Sequence, residues 1–211
     1  VAPNGDAIVL WTQLMESGRY RVLSNFFDSQ TMNWKGESMV WDKELESVSS
    51  INKAVFNCNQ GIAVISSSEG LIGVSCLNPS DNSWKVRAIL DVSSLGSPPF
   101  VNFDVDAKNN VIVTWTQTNA YLYAAVLPKN QTEFQKFVCL SDKANDLFSY
   151  PMIKSDKLGN TLVVWPQNNL GLGSARFSSL NSNWNLMPPL NLKGKIPVNI
   201  SLSSTEQGNV A

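Results

Sequence analysis

The 211-residue chain contains no histidine. That absence excludes Ser-His-Asp and Cys-His nucleophile systems, imidazole bases and His-ligated metals. Charged residues make up only 16% of the chain and nearly cancel at a net −1, so the basic stripe that neutralises phosphates is missing and no nucleic-acid partner is expected. No apolar run is long enough for a membrane-spanning helix. Arginine is restricted to Arg19, Arg21, Arg87 and Arg176, and there is no Cys-x-x-Cys pair, so neither a zinc site nor any other cofactor is expected. The odd number of cysteines, Cys58, Cys76 and Cys139, leaves at least one unpaired within the chain, and buried free thiols are the expected state. Carboxylate chemistry remains. Asp104 and Asp106 are close in sequence, but Lys108 and Asn109 stand where a calcium loop would need glycine and further oxygen ligands, so a solvated strand end is expected there and no metal.

What the chain does have is a period. Trp34, Trp84, Phe134 and Trp184 recur every 50 residues, and a second marker runs in phase. The segments NGDAIVLWTQ, NQGIAVISSS, KNNVIVTWTQ and LGNTLVVWPQ align without gaps, which puts Trp11, Ser66, Trp115 and Trp165 in equivalent positions. The first interval is longer than the others because extra residues fall between Trp11 and Trp34, as a loop insertion would place them.

Each unit reads as strands. A polar turn (Gly5-Asp6, Gln60-Gly61, Asn109-Asn110, Gly159-Asn160) precedes a short β-branched run, the pattern of a strand buried on both faces. A more alternating stretch follows, as in YRVLSNFF and LIGVSCL, then a second turn, the recurrent aromatic and a looser strand. A proline-marked approach leads into the next unit. Four short strands per 50 residues, with no helical period, predict an all-β chain built as a β-propeller of about four four-stranded blades, standing alone or as part of a larger propeller. The units are 1–50, 51–99, 100–149 and 150–196 within a single domain, 1–211, with a closing inner strand at 197–203. Innermost strands are predicted at 52–57, 99–105, 150–155 and 197–203, lining a central channel. The first unit lacks an innermost strand of its own, and the overlap of STEQGNVA with the register of VAPNGDAI suggests a stretch of a longer array; closure of four blades, or association of two chains into one ring, are the other ways to complete it.

SDKLGNTLVVW and DAKNNVIVTW resemble the D-x-x-G-N-x-x-x-x-W units of bacterial β-propeller proteins grouped with sialidase-like, or BNR-type, propellers. The resemblance implies the fold. It does not carry the sialidase catalytic set, because Trp165 lies too far after Gly159 for the Asp-box and the four arginines are scattered in phase.

The expectation is therefore a non-catalytic binding or scaffold propeller that presents loops and a channel rim to a protein or glycan, with a fragment of a sialidase-like glycan hydrolase as the alternative. Asn102, Asp104, Lys154, Asn199 and Ser201 are the candidate ligand residues, since successive inner strands would bring them to one opening. Trp41, which has no counterpart in the other units, is the candidate exposed aromatic, whereas the periodic tryptophans are expected to pack between blades. Low charge with abundant Asn, Ser and Thr leans toward a secreted or cell-envelope protein.

Overall fold

The computed structural model describes residues 1–51, 55–57, 60–117, 121–141, 151–167, 171–193 and 200–203. The described residues are all-β apart from one 3-10 turn, and form two compact units, residues 1–98 with 131–133 and residues 99–130 with 134–211. Among the described residues no helix is long and apolar enough to cross a membrane.

Unit 1 holds two antiparallel sheets. The first has three strands in the order β1 (Ala7–Leu14), β2 (Tyr20–Asp28), β3 (Asn33–Met39). The second has β6 (Gln60–Ser67), β7 (Leu71–Asn78) and β8 (Ser83–Asp91) in sequence order, and the free side of β6 is paired by two short strands. Of these, β4 (Val48–Ile51) runs along its C-terminal half and β5 (Val55–Asn57) along its N-terminal end. Of the innermost strand expected over 52–57, residues 55–57 form β5 and 52–54 lie outside the described residues, while pairing along β6 already includes β4.

Unit 2 also holds two antiparallel sheets. One runs β12 (Val138–Cys139), β11 (Leu122–Leu127), β10 (Val111–Thr116), β9 (Phe100–Val105). The other runs β13 (Met152–Ser155), β14 (Thr161–Gln167), β15 (Gly171–Ser178), β16 (Asn183–Leu190). The edge strands β9 and β13 fall where inner strands were predicted at 99–105 and 150–155. Of the predicted strand 197–203, residues 197–199 lie outside the described residues and 200–203 form no strand.

The 50-residue period is written into the register. Trp34, Trp84 and Trp184 pair across β-ladders with Phe27, Leu77 and Phe177, which keep the same multiples of 50 between them. Each of these hairpins turns through four residues, the last left-handed: Met32, Asn82 and Ser182, with φ of 56°, 55° and 54°. The third unit departs from this. Phe134 lies outside any strand and the outer strand shrinks to Val138–Cys139, although Gln135 N–H still donates to Val126 O.

A second turn recurs at the entry to the apolar strand. Asp106 Oδ1 accepts N–H from Lys108 and Asn110, and Oδ2 accepts from the Asn110 side-chain amide. Asp156 does the same with Leu158 and Asn160. The carboxylate satisfies turn donors that a buried backbone would otherwise leave unpaired. Gly159 sits at φ 84° and Asn109 at φ 65°, a left-handed position where glycine or asparagine is least strained. Asp106 is consequently a buried carboxylate that organises a turn exposed at Ala107 and Lys108, not itself part of the solvated strand end expected for this segment.

Register also corrects the alignment of the second unit. Ile65 pairs with Gly73 as Trp165 pairs with Gly173, so Ile65, and not Ser66, is the equivalent of Trp115 and Trp165. Ser66 points to the other face of the sheet.

Two apolar cores hold these sheets. In unit 1, Val22, Val40, Trp41, Leu45, Ala63 and Ile65 are buried together, with Leu10, Trp84 and Val86 against them. In unit 2, Ile112, Leu122, Ala124 and Val126 of one sheet meet Val163, Trp165, Ala175, Phe177 and Trp184 of the other. Cys76 is a buried free thiol whose pKa is raised by burial, with Arg87 pulling the opposite way. Cys139 is free and exposed rather than buried, because the shortened outer strand leaves it at an uncovered edge; Cys58 lies outside the described residues.

Candidate functional site

Three of the candidate residues meet in unit 2, where the edge strand β9 of one sheet lies beside the edge strand β13 of the next. Asp104 pairs in register with Ile112, and Lys154 with Leu162, so the two charges occupy equivalent positions 50 residues apart. Asp104 is buried, and its Oδ2 accepts the backbone N–H of Ser155 at 2.7 Å. The same oxygen lies 3.3 Å from Lys154 Nζ, and the Lys154 side chain remains 36% exposed. Asn102 ties β9 to the residue just before β13, its side-chain amide donating to Pro151 O at 3.0 Å while its oxygen accepts Phe103 N–H. Ser155 Oγ and Thr161 Oγ1 are 2.9 Å apart and hydrogen-bonded.

The cluster is first a clamp between strands. A buried carboxylate is stable only when charge and donors compensate it, and Asp104 has both. One oxygen of Asp104 and the donor of Asn102 are committed internally. What the arrangement leaves available is the Lys154 ammonium, which has three donors and spends one on Asp104. Its position is set by the carboxylate behind it, so its hydrogen-bonding head is held at the strand edge at reduced entropic cost to a ligand.

The remaining candidates separate from this cluster. Ser201 is exposed and belongs to no strand, and Asn199 lies outside the described residues. Trp41 is not an exposed aromatic: it is 1% exposed, in the core of unit 1, with its ring against Gly73. The reason is a missing side chain. Gly173 is covered by Trp165 from its own sheet, but the residue opposite Gly73 is Ile65, and Trp41 fills the larger space that remains.

The periodic tryptophans differ in surroundings. Trp84 and Trp184 pack on the two cores, and Trp84 Nε1–H donates to Ser24 Oγ at 2.7 Å. Trp34 is 51% exposed on the open side of the first sheet, against Phe27. Sequence reasoning passed over Trp34 because its period made it look like its buried equivalents. Among the described residues no group of three or more His, Cys, Asp or Glu side chains is placed to hold a metal ion.

No protein-family profile and no curated protein matches the sequence. Similarity appears in solved structures. The intramolecular trans-sialidase of Ruminococcus gnavus superposes with a TM-score of 0.60 at 9% identity, over 91% of this chain and 45% of that one. The Aleuria aurantia lectin, a six-bladed β-propeller that recognises fucose, gives 0.57 at 13% identity over 92% and 59%. AofleA from Arthrobotrys oligospora gives 0.54 at 12% identity over 93% and 59%. The chain spans about half the length of these proteins. At such identities the likeness is one of fold: this is an all-β chain of antiparallel sheets whose structural neighbours include sialidase and fucose-lectin propellers.

Proposed function

We propose that the four sheets are successive blades of a β-propeller and that the chain acts as a non-catalytic module binding glycans. The observation that carries this reading is the Lys154 ammonium, partly exposed and backed by buried Asp104 on adjoining edge strands. A fixed ammonium on a polar edge suits hydroxyl and carboxylate oxygens of a saccharide, while Asn102 and Ser155, bonded internally, hold the two strand edges that carry it in place. The fold likeness to a fucose-recognising propeller supports the ligand class, and the internal commitment of Asp104 to Ser155 and Lys154 supports binding over hydrolysis.

A glycan array followed by calorimetry tests the reading. Binding of at least one saccharide class without turnover is expected, weakened by Lys154→Ala. Release of a monosaccharide by the purified chain, lost on Asp104→Asn, would replace it with the sialidase-like hydrolase reading.

A further inference from the structure

Each unit shows how one sheet seats on the sheet before it. In unit 1 the second sheet turns Ala63, Ile65, Trp84 and Val86 toward Leu10 and Val22 of the first. In unit 2 the last sheet turns Val163, Trp165, Phe177 and Trp184 toward Ile112, Leu122 and Ala124. The contact in unit 1 includes polar bonds from Trp84 Nε1–H to Ser24 Oγ and from the Asn82 side-chain amide to Gly36 O.

The first sheet carries this same seating face, and among the described residues no sheet is seated on it. Val9, Trp11, Phe27 and Trp34 hold the register positions of Val163, Trp165, Phe177 and Trp184, yet Val9 is 49% and Trp34 51% exposed. The last sheet in turn carries the receiving face. Leu162, Leu172 and Ser174 hold the positions of Ile112, Leu122 and Ala124, and Met187 and Leu190 extend the face as exposed apolar residues. Ser174 also stands where Ser24 stands in the first sheet. The third sheet has Ala124 there and the second Val74, neither with a hydroxyl to accept an indole N–H.

We infer that the open face of the first sheet docks on the open face of the last sheet of a second copy of this chain, with Trp34 Nε1–H donating to Ser174 Oγ as Trp84 does to Ser24. A second copy fits because the chain itself presents both halves, apolar columns in matching register and the one hydroxyl that the tryptophan needs. Two contiguous apolar faces left in water are otherwise costly. The contact is heterologous, so it leads to a ring or an open array according to the rotation between copies. The inference rests on sheet register and is independent of the glycan reading.

Sedimentation equilibrium over a wide concentration range tests it, with Trp34→Glu breaking one face and Met187→Glu the other. The wild type should self-associate, and each variant alone should associate about tenfold more weakly or worse, the loss of a central anchor. Both positions are about half exposed, so at concentrations where every variant is monomeric circular dichroism should be unchanged and thermal unfolding should remain cooperative with only a small shift, which separates lost docking from misfolding. An equimolar mixture of the two variants should regain association but stop at a dimer, since each supplies one intact face. A wild type that stays monomeric throughout would overturn the inference and leave these faces to further sheets of a longer polypeptide. Trp34→Glu associating like the wild type, or a mixture no better than either variant, would overturn it as well.

Discussion

The six-membered ring of Trp41 lies directly over the α-carbon of Gly73, in the space that any side chain at residue 73 would need. A methyl group placed there would overlap the ring, so Gly73→Ala should destabilise by about 1–3 kcal/mol, the usual range for overpacking. Trp41→Ala should cost about 3–5 kcal/mol by leaving a cavity. The double substitution should cost less than the two added together, because the new methyl then enters the vacated space. Urea denaturation of the three variants checks this; strict additivity would mean that the two residues are energetically independent.

Trp115 and Trp165 are equivalent by register and both buried. Alanine at either should lower stability by about 3–5 kcal/mol. Trp34→Ala removes a ring of the same size from a half-exposed position and should cost clearly less. Chemical-denaturation midpoints that rank Trp34 with the other two would contradict the burial described for it.

Asp104→Ala would strand the Ser155 N–H inside the protein and free Lys154. A loss of about 1–3 kcal/mol is expected from the unsatisfied donor. Lys154→Ala leaves Asp104 buried with one compensating donor fewer, so it too should destabilise. Hydrogen exchange at Ser155 should rise in Asp104→Ala and remain slow in Lys154→Ala, since only the first removes its acceptor.

Acid sensitivity follows from depressed carboxylates. Asp28 is held at about 2, below the ordinary 3.8, chiefly by its bond to Lys35. Asp6 is lowered chiefly by the Ser29 backbone N–H, and Asp81 and Asp91 by the Ser83 and Ser93 side chains. A folded pKa below the unfolded one means that the unfolded chain binds protons first, so the contribution is complete above about pH 4 and is lost as pH falls toward 2. Stability measured between pH 7 and 5 should be nearly flat in these groups and should drop below 4. Lys35→Met should move the Asp28 titration, followed by carboxyl NMR, back up toward 3.8.

Much of the architecture was legible in the chain. The spacing of Trp34, Trp84 and Trp184, the polar turns and the β-branched runs are local signals, and β6, β10 and β14 lie where those signals put them. The limits of local reading show at three places. Ile65 and Ser66 are adjacent, and a shift of one residue in a strand exchanges its faces, so only pairing with Gly73 decides which of them joins the core. Gly73 and Gly173 stand 100 residues apart, a sign that an aromatic belongs over each, and with no tryptophan at residue 65 one had to come from elsewhere. That Trp41 provides it depends on the path of the chain after β3.

The sequence by itself determined the repeat, because period and turn chemistry act over a few residues. The tertiary structure decided what each repeated residue meets. Trp34 and Trp84 share a position and a strand type, but only Trp84 has a sheet beneath it and the Ser24 hydroxyl in reach. Asp104 and Lys154 likewise occupy one position in two copies, and become an ion pair only because β9 and β13 lie edge to edge. Burial and partnership belong to the neighbouring sheet, and no stretch of a single strand encodes its neighbour.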